Sequence, residues 1–298
     1  MVPKIISKEL IKSMSNPLVS IICLCYNHEK YVLEALNSCL QQTYYNIQLI
    51  IVDDASSDKS VKVIEEFVVQ HPEVEFIPND QNIGNCRSFN KALAVAKGEF
   101  IIDLAADDVL LPKRVEVGVN ELSNKDKSYG VHFSDALLVN ENGISIHQFY
   151  ERNESGDIIK KIPQGNVFRD VLKSYFICPP TVMFRKQVIE EMGGYDETLA
   201  YEDFDFWVRS SRAWKYCFSD QVLVKKRELD NSLGKKQYVR GSKQLESTFR
   251  VCEKAFHLCK NSSEYKSLKK RIKYELKHAI WLGNWPVSLK YIRLYSRL

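Results

Sequence analysis

The 298-residue chain is 45% hydrophobic and 27% charged, a composition typical of a folded globular protein and not of a disordered one. No stretch approaches the roughly 18 to 20 apolar residues that a membrane-spanning helix needs. The first 16 residues lack the long apolar centre of a secretion signal. We therefore expect a cytoplasmic protein whose eight cysteines stay reduced and pack as small apolar side chains.

The net charge of +4 is unevenly distributed along the chain. Residues 225–298 contain 19 Lys and Arg but only 6 Asp and Glu, so the remainder of the chain is acidic. A basic segment of this kind predicts either a solvated helical surface or attraction to an anionic partner, namely an anionic membrane, a phosphorylated acceptor or nucleic acid. No recognition motif accompanies the charge, so we do not expect nucleic-acid binding.

Apolar runs alternate with helical patterns over the first 110 residues. The predicted strands are VSIICLC (19–25), IQLIIVDD (47–54), VEFIPN (74–79) and EFIIDLAA (99–106). The predicted helices between them are KYVLEALNSCLQQ (30–42), DKSVKVIEEFVVQH (58–71) and NCRSFNKALAVAKG (85–98). Parallel strands need crossover helices, so this alternation predicts an α/β fold with a mostly parallel central sheet flanked by helices.

The second half of the chain is less regular. We predict a helix from Pro112 to about Asn124, followed by a strand and turn in YGVHFSDALLVNENG (129–143). From about Gln237 the pattern is helical and basic to the last residue.

Carboxylates follow two of the predicted strands. Asp53 and Asp54 end the second strand, and Asp107 and Asp108 come just after the fourth. The carboxyl ends of parallel strands form one sheet edge where ligands bind, so these acids should converge in one crevice. Any one of them alone could be a turn residue or helix cap. Together they predict a nucleoside diphosphate bridged by Mg²⁺ or Mn²⁺, because these cations take carboxylate and phosphate oxygens.

Three segments carry a resemblance to a known family. They are VSIICLCYNHEKYVLEALNSCLQQTYYNIQLIIVDDASSDKS (19–60), NIGNCRSFNKALAVAKGEFI (82–101) and MGGYDETLAYEDFDFWVRS (192–210). Over residues 17–232 the chain resembles the family 2 glycosyltransferases, inverting enzymes of the GT-A fold. The resemblance implies an N-terminal extension (1–16), a nucleotide-binding half (17–111), an acceptor-binding half (112–232) and a separate basic helical region (233–298).

The resemblance also implies roles for individual residues. Asp54 would contact the nucleobase, and Arg87 would lie near the base or diphosphate. Asp107 and Asp108 would stand at the metal site, one toward the ribose and the other on the metal, with the ligand left open between them. Asp203 would be the catalytic base with Glu202 as the fallback. The residues implied in binding the nucleotide sugar are Tyr26, Asn27, Glu29, Asp53, Asp54, Gly84, Arg87 and Asp107.

The implied activity is transfer of a sugar from a nucleoside-diphosphate sugar, expected to be UDP-linked, to an acceptor hydroxyl by metal-assisted single displacement. The expected acceptor is a saccharide or lipid-linked saccharide in the synthesis of a bacterial-type surface polysaccharide, at the cytoplasmic face of the membrane.

The sequence departs from the family pattern at three places. Ala105 stands where the family often has the first acid of D-x-D-D, and Ala55 replaces a common glycine. Arg227-Glu228-Leu229 stands where many members have R-x-H. The first and third departures leave open an alternative, a catalytically silent module that binds nucleotide sugars or serves in assembly.

Overall fold

The computed structural model describes residues 16–229 and 238–298. Almost all of the expected N-terminal extension, the boundary between residues 232 and 233, and the expected helical start near Gln237 lie outside the described residues. These expectations stay predictions.

The first half of the chain forms a parallel sheet with crossover helices, as predicted. Its elements are β1 (Val19–Cys25), α1 (Val32–Leu40), β2 (Ile47–Asp53), α2 (Ser60–Gln70), β3 (Glu75–Pro78), α3 (Asn85–Leu93) and β4 (Phe100–Ala105). β1 lies between β2 and β4 and is parallel to both, and β3 continues the sheet beside β2.

Helix α3 ends at Leu93, five residues before the end predicted from the sequence. Side chains of the neighbouring strands take up the backbone donors beyond it. Gln48 Oε1 accepts from the N–H of Lys97, and Ser20 Oγ accepts from the N–H of Gly98. A Cβ at position 98 would lie 2.4 Å from the Ser20 nitrogen, so only glycine permits this close approach.

Residues 109–227 add strands to the parallel ones and complete a mixed sheet. Its elements are β5 (Val109–Leu110), α4 (Arg114–Ser123), β6 (Tyr129–Val139), β7 (Ser145–Gln148), α5 (Phe168–Lys173), β8 (Met183–Arg185), α6 (Lys186–Glu191), α7 (Asp203–Ser210) and β9 (Lys215–Arg227). In the described residues the strand order is β3-β2-β1-β4-β8-β6-β9-β5, with β7 beside β6. β8 runs antiparallel to β4 and β6, so the parallel arrangement is confined to β1–β4 and the β6–β9 pair.

The core has a layer on each face of the sheet. Along β1, Ile22 and Leu24 pack into one apolar cluster, while Ile21 and Cys23 pack into the other. All seven residues of this strand are buried, as a strand covered by helices on both faces requires. All eight cysteines are buried and unpaired.

The basic C-terminal region is helical, as predicted, and packs against α5 and the residues that follow it. It forms α8 (Lys243–Leu258), α9 (Ser262–Trp281) and α10 (Trp285–Tyr295). Arg271 of α9 is buried, donates to the carbonyl of Leu172 and stacks over the Tyr175 ring at 4.0 Å. Among the described residues, no helix is long and apolar enough to cross a membrane.

Candidate active site

A cavity of about 750 Å³ opens at the carboxyl ends of β1, β2 and β4. Its walls come from both halves of the domain, including the start of α7 and the end of β9. Seven acidic residues line it: Asp54, Asp103, Asp107, Asp108, Glu202, Asp203 and Glu228. The structure therefore brings three of the four strand-end acids together with the pair at positions 202 and 203.

The loops after β1 and β2 hold each other in place. The N–H of Asn27 donates to Ser56 Oγ at 2.8 Å, and Asn27 Oδ1 accepts from the N–H of Ser57 at 2.8 Å. Glu29 Oε2 accepts from the N–H of Lys59 at 2.8 Å. Asn27 also lines the cavity, as does its neighbour Tyr26. Residues 26–29 (YNHE) are therefore held by the loop after β2, and most of them line the cavity.

Asp53 and Ala55 shape the loop after β2. The Asp53 carboxylate accepts from the N–H and the hydroxyl of Ser56, and it is absent from the cavity wall. Ala55 has φ = 60°, a left-handed conformation that costs an L-residue roughly 1 to 2 kcal/mol. That conformation gives a physical reason for the glycine common at this position in the resembling family.

Asp54 is buried at the side of the cavity and accepts three hydrogen bonds. The donors are Asn79 Nδ2 at 3.0 Å and the N–H groups of Ile83 and Gly84 at 2.8 Å. Gly84 has φ = 88° and directly precedes α3. Three donors leave about one lone-pair site of this carboxylate for a ligand.

Asp107 and Asp108 lie in a turn that Arg227 anchors. Asp108 is buried, and its Oδ1 accepts from the N–H of Arg227 at 2.8 Å. Burial, and then the charge of Asp107, raise the pKa of Asp108 well above its usual range. Asp107 Oδ1 lies 3.9 Å from His28 Nδ1, a buried nitrogen without a hydrogen-bond partner.

The residues present fit a cation whose coordination the substrate completes. In the described ranges, no three His, Cys, Asp or Glu side chains are grouped to hold a metal by themselves. Mg²⁺ is commonly held by one or two carboxylates together with substrate phosphates and water. Asp107 and Asp108 are such a pair, and the orphaned His28 nitrogen beside them marks unsatisfied polar capacity in the cavity.

A second acidic group lies at the start of α7. Glu202 Oε2 accepts from Asn85 Nδ2 at 2.7 Å, whereas the Asp203 carboxylate accepts no hydrogen bond within the described part of the chain. Burial raises the pKa of both, and the charges of Glu202 and Asp103 raise that of Asp203 further, well above its usual range. A carboxylate that is unbonded and unusually basic is suited to accepting a proton.

Asp103 is a cavity residue that the sequence interpretation missed. It accepts from the Tyr195 hydroxyl at 3.1 Å, and burial followed by the charge of Glu202 raises its pKa well above the usual range. Asp103 and Ala105 share one face of β4, and both line the cavity. A charged residue inside the apolar run FIIDLA was the available signal, because a buried carboxylate in a strand needs a polar partner.

Lys226 is a second cavity residue that the sequence interpretation missed. It lines the cavity at the end of β9, and its positive charge opposes the rise in the pKa of Asp108 and of Asp203. Among the described residues it has no ion-pair partner. The neighbouring cation, Arg227, instead forms an ion pair in which its Nη2 donates to Glu34 Oε2 at 2.7 Å.

Besides Asp53, two further predicted binding residues, Arg87 and Glu29, lie away from the cavity wall. Arg87 is about half exposed and pairs with Glu197, with Nε and Oε2 3.5 Å apart. Glu29 faces the loop of Lys59, as described above. The binding roles expected of both stay predictions.

Comparison with known proteins identifies the class to which this fold and cavity belong. Residues 20–193 match the family model described as Glycosyl transferase family 2. An uncharacterized glycosyltransferase of Methanocaldococcus jannaschii is 29% identical over 221 residues, which make up 73% of each chain.

Solved structures share the architecture. Staphylococcus aureus TarS 1-349 in complex with UDP-GlcNAc superposes with a TM-score of 0.65 at 17% identity, covering 92% of this chain and 79% of that one. A mannosyltransferase of Pyrobaculum calidifontis in complex with GDP-Man and Mn²⁺ gives a TM-score of 0.63 at 16% identity, covering 94% and 74%. At such identities these likenesses establish the fold alone.

The family model spans more than half of the chain, so the protein belongs to glycosyl transferase family 2. It is a glycosyltransferase of the GT-A fold, as its sequence motifs led us to expect.

Proposed function

We propose that this glycosyltransferase moves a sugar from a UDP-linked donor to an acceptor hydroxyl with inversion, using Asp203 as the general base. The observation that carries the proposal is that Asp203 shares one cavity with the Asp107–Asp108 pair. A single displacement needs charge neutralised on the leaving diphosphate and a base for the attacking hydroxyl, on either side of the anomeric carbon.

The nucleotide occupies the part of the cavity built by β1, β2 and the start of α3. Asp54 takes a donor from the base, and Tyr26, Asn27 and Gly84 border the same space. The neighbours solved with UDP-GlcNAc and with GDP-Man and Mn²⁺ support a nucleotide-sugar donor. The choice of UDP is our inference from the family motifs.

Asp107 and Asp108 hold a divalent cation, Mg²⁺ or Mn²⁺. When bound, that cation supplies Lewis-acid neutralisation of the diphosphate oxygens. The chain's part is to fix the turn that carries the two carboxylates. The Arg227 N–H donates to the Asp108 carboxylate, and Arg227 Nε donates to the backbone carbonyl of Asp107 at 3.1 Å.

Lys226 adds a second positive charge on the diphosphate side. It is unpaired among the described residues, lies in the cavity wall and acts electrostatically on Asp108. A fixed cation beside developing negative charge stabilises the transition state without reorganisation. We infer that Lys226 supplies a positive charge in this chain, which has Leu229 where many family members have the histidine of R-x-H.

Asp203 removes the proton from the acceptor hydroxyl. Its carboxylate accepts no hydrogen bond in the described structure, whereas Glu202 is already engaged by Asn85. This difference favours Asp203 over the fallback Glu202. The proposed acceptor is a saccharide or lipid-linked saccharide in surface-polysaccharide synthesis, used by a cytoplasmic enzyme that is peripheral on the membrane.

The test is a donor screen that reads released nucleoside diphosphate with Mn²⁺ present. We expect turnover with a UDP-sugar, lost by about 100-fold to 10,000-fold in Asp203→Asn while nucleotide binding is retained. Glu202→Gln is the matched comparison and should lose less. Nucleotide-sugar binding without turnover of any donor would favour the silent binding module instead.

A further inference from the structure

The surface of the C-terminal hairpin, which comprises α9, the turn at 282–284 and α10, combines exposed cations with exposed apolar side chains. Trp281 and Trp285 flank the turn and are 80% and 62% exposed. Leu289 and Ile292 follow at 55% and 48% exposed. Residues 285, 289 and 292 recur at helical spacing, so they form an apolar stripe on one side of α10.

This stripe is separate from the face by which α10 packs. Val287, Tyr291 and Leu294 are buried against the rest of the protein. The outer stripe is therefore surplus to what holds the helix in place. In the described residues of the hairpin, nothing covers Trp281 or Trp285.

All exposed charged side chains of residues 262–298 are basic. The two acids in this stretch, Glu264 and Glu275, are buried and pair with Arg212 and Arg271. The cations left on the surface are Lys266, Lys270, Lys273, Lys277, Lys290, Arg293 and Arg297. Lys290 also reaches Glu246 on α8.

We propose that this hairpin surface docks on an anionic lipid bilayer, with the two tryptophans and the α10 stripe inserted between headgroups and the lysines of α9 over the lipid phosphates. Tryptophan favours the membrane–water interface, and an amphipathic surface rich in Lys and Trp lies in that plane. The absence of exposed acids gives charge complementarity to anionic lipid along the whole described hairpin.

Docking would also fix the orientation of the active site. Arg271 ties α9 to the acceptor half through the Leu172 carbonyl and the Tyr175 ring. The hairpin and the α7 start that carries Asp203 therefore belong to one packed body. The inference deepens the proposed function, on which it rests for its biological sense, by naming the surface that brings the enzyme to a lipid-linked acceptor.

The experiment is flotation of the full chain with phosphatidylcholine vesicles that contain or lack phosphatidylglycerol. We expect binding only to the anionic vesicles. Trp281→Ala/Trp285→Ala should weaken it by about 100-fold, from the loss of two buried apolar side chains. Lys266→Gln/Lys270→Gln/Lys277→Gln should weaken it by about fivefold per lysine.

Matched controls lie outside the hairpin. Lys62→Gln/Lys97→Gln/Lys160→Gln removes the same net charge from exposed positions, and Val69→Ala trims an apolar side chain that is 82% exposed. Both controls should float like the unmodified chain. The Trp fluorescence of bound protein should be quenched by brominated lipid, and Trp281→Phe/Trp285→Phe should remove most of that quenching.

Three results would overturn the inference: no flotation of the unmodified chain, hairpin variants that float like the controls, or tryptophan-dependent self-association without lipid. The last result would assign the stripe to a second copy of the chain. Asp203→Asn should float normally. Thus a chain that binds vesicles through the hairpin but transfers no sugar would refute the proposed activity and leave this inference standing.

Discussion

The backbone N–H of Arg227 donates a 2.8 Å hydrogen bond to Oδ1 of Asp108, 119 residues earlier in the chain. The Arg227 side chain continues past the same turn to Glu34 and stacks over Tyr31 at 4.6 Å. One buried arginine thus joins β9, the acidic turn after β4 and α1. The position of the proposed metal-binding pair, Asp107 and Asp108, depends on a residue from the far end of the domain.

Arg227→Met should therefore lower both stability and nucleotide binding. Losing a buried cation that satisfies several acceptors costs about 3 kcal/mol of unfolding free energy, measurable by urea denaturation. Mn²⁺-dependent UDP binding, followed by calorimetry, should weaken as the turn loses its anchor. Arg250→Met, which breaks a more exposed pair with Glu246, should cost less than about 1 kcal/mol. Equal effects of the two substitutions would refute this account.

The pH dependence of transfer should reflect the raised pKa of Asp203. A general base works only when unprotonated, so kcat/KM should fall as the pH drops through a pKa above that of an ordinary carboxylate. Asp103→Asn removes a negative charge that raises this pKa and should move the acid limb to lower pH. Glu197→Gln, an exposed change outside the cavity wall, should leave the profile in place. An unmoved acid limb in Asp103→Asn would contradict the coupling.

Lys226→Met should reduce kcat without unfolding the protein. Removing one preorganised charge from a transition state typically costs about 100-fold to 1,000-fold. Thermal stability should hardly change, because Lys226 has no ion pair in the described structure. Lys225→Met is the adjacent control and should be nearly silent, since Lys225 is absent from the cavity wall. Full activity of Lys226→Met would remove this residue from the mechanism.

Metal removal should abolish tight nucleotide binding but not folding. With Mn²⁺ and UDP at about 100 times the dissociation constant, the chain should gain about 2.7 kcal/mol of stability, and EDTA should reverse the gain. Asp108→Asn keeps an oxygen for the Arg227 N–H while losing the charge. This variant should fold normally and lose the Mn²⁺-dependent shift in melting temperature. A full shift in Asp108→Asn would assign the metal to Asp107 alone.

Arg271→Met should show that the C-terminal helices fold with the α/β domain. It leaves the Glu275 carboxylate buried without its compensating cation, which costs roughly 3 to 5 kcal/mol. Adding Glu275→Leu removes the stranded charge and should recover much of that loss. A single unfolding transition is expected in every case, because α9 packs directly on α5. Two separate transitions would instead make the basic region an independent unit.

Local sequence patterns were enough to predict the parallel half of the sheet, the helical character of the C-terminal region and the family. The short apolar run VSIICLC predicts strand β1, because such a run suits a strand that helices cover on both faces. The helices between β1 and β4 are predicted by short-range apolar periodicity. Asp54, Asp107, Asp108, Glu202 and Asp203 could be singled out because they end strands or fill family motifs. These signals are local, so no tertiary contact was needed to recognise them.

Which of the acids share a cavity depends on how the folded chain packs. Tertiary packing set Arg87 beside Glu197 and brought Asp103 and Lys226 into the cavity wall. It also placed the antiparallel strand β8 between β4 and β6. These outcomes depend on contacts between residues far apart in the chain, and on side-chain direction at each strand position, neither of which local patterns specify.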